Sequence, residues 1–373
     1  MKVGILTHYD VNNLGAQLQM YATYQWLQKH GHYPVVFTYN KNFDFEYEQK
    51  LRNQISLKSI PYITREFLLK KGIHQTWHNT QKYRKNKVFR KKNLNFEFYA
   101  DSTADAVIVG ADEVFSIPFG INSMMFGHGM KNGNCIAYAP SFGETNMGDL
   151  RLHHATALIK SGLETFVALS ARDAHTHEMI HDLTGKNPTI VCDPVILYRF
   201  PEKLAEVKPL GKPYLAVYSY DRNMINPSEV QEIKAFAKRR GLQTVSVGNY
   251  HKWCDKNITC DCLQWLEYMR NAELVITDTF HGAVVSTILH KEAAIIQRKI
   301  NRNKLKALLH DTKMGPREIP AISLSELENV FAQPTDYVTV DAALETLRSN
   351  SEQYLVRALE SCSCEKSEGE KIR

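Results

Sequence analysis

The chain has 373 residues, 43% hydrophobic and 23% charged, with a net charge of +6. That composition belongs to a globular protein large enough for two domains and excludes a mainly disordered chain. No apolar run approaches the ~20 residues that span a bilayer, and Asp10, Asn12 and Asn13 interrupt the start before a secretory leader can form, so a cytoplasmic protein is expected.

Lys2–Thr7 is an apolar run of strand length, followed by a polar loop from Asp10 to Gly15. Gln17–Lys29 has the spacing of a helix, with Leu18, Tyr21, Ala22 and Trp26 on one side. Gly31 stops it, and Pro34–Tyr39 begins a second strand. A basic insertion, 46–99, then interrupts the pattern and reads as helical with a break at Pro61. Between Lys50 and Lys92 thirteen Lys or Arg stand against one acid, Glu66, with Tyr62, Phe67, Trp77, Tyr83 and Phe89 interleaved. A solvated helical face accounts for this, and so does peripheral contact of 50–92 with an anionic membrane surface. No nucleic-acid-binding motif accompanies the charge, so nucleic acid is not an expected partner.

Strand character returns at 106–110 and 135–138. A helix is expected at 152–166, a strand at 166–171, a helix at 174–183, and a strand at 189–192 closed by Asp193-Pro194. A polar stretch with Pro201, Pro209 and Pro213 marks a domain boundary. The second half repeats the alternation: strands at 214–218, 244–247, 274–277 and 293–296, helices at 227–240, 262–271 and 282–289. The division expected is 1–200, 201–340, a closing helix 341–360 and a disordered tail 361–373. The fold class is therefore α/β, two Rossmann-like domains facing a cleft, with ligands beyond the carboxyl ends of the strands. The seven cysteines contain no C-x-x-C pair, and Cys254, Cys260 and Cys262 fit no known zinc spacing; free thiols, surface or partly buried, and no metal are expected.

The sharpest local feature is Val275-Ile276-Thr277-Asp278-Thr279-Phe280-His281-Gly282-Ala283. A buried strand runs into a helix start near Gly282, where free amides and the helix dipole favour an anion. Gly282 would let the anion approach the backbone, and His281 would add a hydrogen bond or move a proton. A capping role for Asp278 or Thr279, with His281 simply packed, fits the same residues.

Ile276–Gly282 resembles the T-D-S-F-H-G signature of the polysaccharide pyruvyl transferase family. Further matches follow in order. Asn13-Leu14-Gly15-Ala16-Gln17-Leu18-Gln19 resembles its opening loop, and Asp105–Phe115 its D-x-x-I-V-G-S-D-Q-V-W segment. Tyr138–Gly143 resembles Y-A-A-S-F-G, Ser170–Asp173 S-V-R-E, and Asp193-Pro194 its D-P-T-L-L stop. Ala111, Glu113, Phe115, Asp173 and Thr279 depart from the commoner residues, and Glu113 adds a charge. The resemblance implies a GT-B-like fold and transfer from phosphoenolpyruvate, the donor substrate, to two hydroxyls of a saccharide acceptor, giving a pyruvate ketal; no cofactor is implied.

On that reading His281 is the general acid/base or a phosphate ligand, and Arg172 clamps phosphate or carboxylate. Asp112 and Glu113 orient or deprotonate the acceptor hydroxyls, with only one expected to face the cleft because neighbours on a strand point opposite ways. Asn13 and Gly15 suit acceptor or phosphate contacts or a plain turn, and Ser141 is a weaker candidate. The basic stretch suggests a lipid-linked acceptor. A nucleotide-sugar glycosyltransferase and a non-catalytic sugar-binding protein of the polysaccharide machinery are the competing readings.

Overall fold

The computed structural model describes residues 1–43, 45, 72–130, 134–298 and 302–370; the sequence expectations for 46–71 lie outside them. In chain order the N-terminal half contains β1 (Lys2–Leu6), α1 (Leu14–Lys29), β2 (Tyr33–Thr38), α2 (Gly72–Asn93), β3 (Phe96–Phe98), β4 (Ala106–Asp112) and β5 (Cys135–Pro140). The strands form one parallel sheet in the order β3-β2-β1-β4-β5. Beside it, β6 (Ser170–Ala171) leads into α3 (Ala174–Thr184) and pairs in parallel with β7 (Thr189–Ile190). The helix expected at 152–166 is two helices, Met147–Leu152 and Thr156–Glu164, broken where His154 takes φ 51°.

The C-terminal half contains β8 (Tyr214–Tyr218), β9 (Gln243–Val247), β10 (Lys256–Ile258), α4 (Cys262–Arg270), β11 (Leu274–Thr277), α5 (Phe280–Ile288), β12 (Ala293–Ile296), α6 (Arg302–Asp311) and β13 (Glu318–Ile319). Its sheet order, β10-β9-β8-β11-β12-β13, is again parallel throughout. Both orders reverse beside their first strand, at β1/β4 and at β8/β11. Such a switch point opens the crevice in which α/β sheets bind ligands.

Helix α1 joins the halves. Thirteen of its sixteen residues are buried, and Leu14, Leu18 and Tyr21 share one apolar cluster with Tyr218, Cys262 and Trp265 of the second half. A helix buried on all sides needs no single apolar stripe. The last helix, α7 (Tyr337–Glu370), crosses back onto the first half. Its Tyr354 donates to the Ala137 carbonyl at 2.7 Å, and its Ser351 hydroxyl accepts from the Cys192 amide at 2.9 Å. It runs on through residues 361–370, where the sequence suggested disorder.

Candidate active site

The two switch points face each other. From the first half come the loop after β1, with His8, and the end of β4, with Asp112 and Glu113. From the second come Tyr220 after β8 and Asp278–His281 after β11. The small β6–β7 sheet adds Arg172 and Asp193. Its register, Ser170 opposite Thr189 and Ala171 opposite Ile190, brings the ends of its two strands together.

Arg172 is almost fully buried and donates through Nη1 to Asp193 Oδ2 at 3.0 Å; its Nη2 lies 4.0 Å from Asp112 Oδ1. Its guanidinium stacks over the Phe280 ring at 4.6 Å, an attraction of about 2 kcal/mol at a desolvated site. Burial opposes the charge, but Asp193, Asp112, Asp173 and Glu113 outweigh it and raise the Arg172 pKa. His281 Nε2 stands 3.6 Å from Asp193 Oδ2, an ion-pair distance and not a hydrogen bond. Arg172 Nε and His281 Nε2 are both buried without a hydrogen-bond partner among the described residues. Buried donors are nearly always paired, so two orphans on residues that share Asp193 mark a place where another acceptor belongs.

Asp193 is completely buried and also caps a short helix, accepting from the Val195 amide at 2.9 Å. Burial pushes its carboxyl up, but the His281 imidazole and the Arg172 guanidinium outweigh this and hold it at about 2. Burial likewise pushes Asp112 up, and the charges of Arg172, then His281, His8 and Lys304, bring it below the usual carboxylate range.

Asp112 has φ 67° and Ala139, next to its β5 partner Pro140, has φ 50°. Left-handed backbone at residues other than glycine costs about 1–3 kcal/mol and collects at functional sites. The turn at Asp112 also overturns the expectation that only one of the adjacent acids faces the cleft. The chain leaves the strand there, so Asp112 points at Arg172 while Glu113 reaches the Lys304 ammonium on α6. Lys304 borders two small cavities, one of about 40 Å³ with Arg172, Asp193 and Phe280, the other of about 100 Å³ with Glu113, Ser141, Asp173 and His175.

Other expected ligand contacts are taken up by the protein itself. Helix α5 begins at Phe280, ahead of Gly282, and Thr279 is its N-cap: the Gly282 amide donates to Thr279 Oγ1 at 3.0 Å. A Cβ on Gly282 would lie 2.1 Å from Thr277 Oγ1, so this glycine is needed for packing against β11. Asn13 is the N-cap of α1, accepting from the Gly15 and Ala16 amides. Gly15 packs against His281, where a Cβ would fall 2.3 Å from ring atoms Cγ and Nδ1. Ser141 donates to Asp173 Oδ2 at 2.8 Å and accepts from the Gly143 amide at 3.1 Å. Asp278 is buried against Arg298, Nε to Oδ2 at 3.1 Å, and burial raises its pKa despite that partner.

Sequence reasoning took Asp193 only as a strand terminator and gave no role to Lys304, Phe280, His8 or Tyr220. Tyr220 interacts electrostatically with Asp112 and Glu113 across the cleft and with Asp278 of its own half. The six described cysteines are buried free thiols, deeper than the surface or partly buried thiols expected. Among the described residues no group of three or more His, Cys, Asp or Glu is placed to hold a metal ion.

Two parallel Rossmann-type sheets meeting across a cleft, with a final helix returning to the first half, define a two-domain protein of GT-B-like architecture. Residues 13–299 match the family model described as polysaccharide pyruvyl transferase, and the chain belongs to that family. No curated protein sequence matches the chain at a significant level. Among solved structures, spinosyn rhamnosyltransferase SpnG is 12% identical with a TM-score of 0.46, the alignment covering 96% of this chain and 100% of that one. A UDP-GlcNAc 2-epimerase from Neisseria meningitidis is 9% identical with a TM-score of 0.49, covering 97% and 100%. The glycosyltransferase SnogD from Streptomyces nogalater is 11% identical with a TM-score of 0.45, covering 98% and 99%.

Proposed function

We propose that this transferase moves a pyruvyl unit from phosphoenolpyruvate to two hydroxyls of a saccharide, forming a cyclic pyruvate ketal during cytoplasmic assembly of a cell-surface or exopolysaccharide. The observation that carries the reading is the pair of orphaned, buried donors, Arg172 Nε and His281 Nε2, brought together from the two halves. A phosphorylated carboxylic acid supplies the acceptors they lack, and charge-assisted bonds of this kind are the strong ones.

In this scheme Arg172 and His281 hold the donor's anionic groups, with Phe280 and Asp193 fixing the guanidinium. One proton goes to the methylene carbon, which makes the central carbon electrophilic. A sugar hydroxyl attacks that carbon, the bond to the phosphate oxygen breaks, and a second hydroxyl closes the ketal. Two hydroxyl protons are released, one balancing the proton on the new methyl group and one leaving on phosphate. His281 is the residue best placed to move these protons, and the ionised Asp112 carboxylate accepts a hydrogen bond from an attacking hydroxyl. The Glu113–Lys304 pair borders the larger cavity and is assigned to the acceptor.

Calorimetric titration with phosphoenolpyruvate tests the reading. Wild type is expected to bind, while His281→Ala and Arg172→Ala lose most of the affinity, about 2–5 kcal/mol for a buried charged partner. Wild-type-like binding by both variants would remove the donor from this cleft.

A further inference from the structure

Helix α2 has two faces of different chemistry. Its inner face is a polar strut between the halves. Gln75 and Asn79 donate to Asp221 at 2.9 Å each, and Lys82 donates to Asn249 at 2.8 Å. Lys85 donates to the Thr259 carbonyl at 2.8 Å, and Arg90 pairs with Asp10 at 2.7 Å. Part of the basic charge noticed in the sequence is thus internal and faces no partner molecule.

The outer face is different. At 100° per residue, Ile73, Trp77, Arg84, Lys87, Val88 and Lys91 fall within one stripe, and all six are exposed; Ile73, Trp77 and Val88 are 74%, 62% and 67% accessible. The helix contains no Asp or Glu. At 1.5 Å per residue the stripe is about 27 Å long. Two large apolar side chains on the first turns, Ile73 and Trp77, and Val88 flanked by Lys87 and Lys91, held in the open on a helix anchored by its other face, match a membrane-surface helix. The apolar groups enter the headgroup boundary and the cations meet anionic lipid. A nucleic-acid groove would stack a base on the tryptophan but gives no comparable reason for exposing an isoleucine and a valine on the same stripe.

We infer that the outer face of Gly72–Asn93 is a docking surface for an anionic lipid bilayer. The inference does not depend on the donor. Co-sedimentation with phosphatidylcholine vesicles, with and without 30 mol% phosphatidylglycerol, tests it at about 0.1 M salt. Wild type is expected to bind the anionic vesicles and not the neutral ones. Each neutralised cation near such a surface weakens binding about fivefold, so Arg84→Gln, Lys87→Gln and Lys91→Gln together cost on the order of 100-fold. Trp77→Phe should remove the blue shift of fluorescence on adding anionic vesicles.

All four residues are exposed, so thermal melting should be unchanged and phosphoenolpyruvate binding, read by calorimetry, should be that of wild type. A loss of vesicle binding with intact donor binding separates this surface from the cleft. Three results overturn the inference: no wild-type binding to anionic vesicles, undiminished binding by the triple variant, or binding to a single-stranded oligonucleotide that exceeds binding to the vesicles.

Discussion

Substituting Gly15 by alanine sets two effects of opposite sign against each other. Gly15 lies in the first turn of α1, and in a helix alanine is ordinarily favoured over glycine by about 0.5–1 kcal/mol. Here the added Cβ would sit 2.3 Å from His281 Cγ and Nδ1 and 2.6 Å from its Cβ. Carbon atoms pack at about 3.5–4.0 Å, so the imidazole must retreat by more than about 1 Å. α1 cannot yield instead, because it is buried between the halves. Overpacking of this kind costs about 1–3 kcal/mol, so Gly15→Ala should melt below wild type, and with His281 in its proposed role a displacement of about 1 Å should lower kcat/KM on the order of 100-fold. The assay is a melting curve together with phosphate release from phosphoenolpyruvate. The cycle with His281→Gly isolates the cause: without that side chain, the stability cost of alanine at 15 should vanish or reverse. A Gly15→Ala protein as stable and active as wild type would show that the two halves do not meet at the His281 ring.

Asp193, held at about 2 against an ordinary 3.8, contributes on the order of 2 kcal/mol of folding stability near neutral pH. Because the folded value is the lower one, that stability is present above about pH 4 and is lost as pH falls toward 2. Asp193→Asn should therefore lower the urea midpoint at pH 7, with a smaller gap from wild type at pH 3; an equal gap at both would refute the linkage. On the proposed function the donor anion would enter a cleft where Asp112, Glu113 and Asp193 already face Arg172 and Lys304, so its binding should draw in protons. The enthalpy observed by calorimetry should then differ between PIPES and Tris buffers, whose ionisation enthalpies differ, and identical values would count against it. Thr279→Val removes the cap of α5 and should cost about 1 kcal/mol in the melting transition, whereas Thr279→Ser should keep it; equal losses would rule out capping as its role.

Much of this was legible in the chain. Apolar runs ended by polar loops marked β1, β4, β5, β8 and β11, and Thr277–Gly282 stood out because a strand, a hydroxyl, an imidazole and a glycine follow one another. What stayed hidden was non-local. Asp193 looked like a terminator because its partners, Arg172 and His281, come from other elements. Lys304 carries no local signal, since only the fold brings α6 to Glu113. Gly282 was expected to let an anion approach and Gly15 to suit a ligand contact or a turn; the fold adds a non-local demand, room for Thr277 at Gly282 and for His281 at Gly15. In the basic insertion, charge counting could not tell Lys82, bonded to Asn249, from Lys87, which is exposed.

The costs concentrated at the cleft argue that it was shaped by something other than folding stability. Asp112 holds a left-handed backbone, Asp193 and Arg172 bury charge, and Arg172 Nε and His281 Nε2 have no hydrogen-bond partner among the described residues. Replacing a buried ion pair by packed apolar groups is often neutral or stabilising, so the Arg172–Asp193 pair alone gives no reason for its existence. The orphaned donors do. Their desolvation has already been met in the folded protein, and an incoming anion regains the interaction without first stripping water from them. The Arg172 guanidinium is held on Asp193 through Nη1, which leaves Nε without a hydrogen-bond partner among the described residues. His281 Nε2 stands 3.6 Å from Asp193 Oδ2, beyond hydrogen-bond reach but close enough for charge attraction.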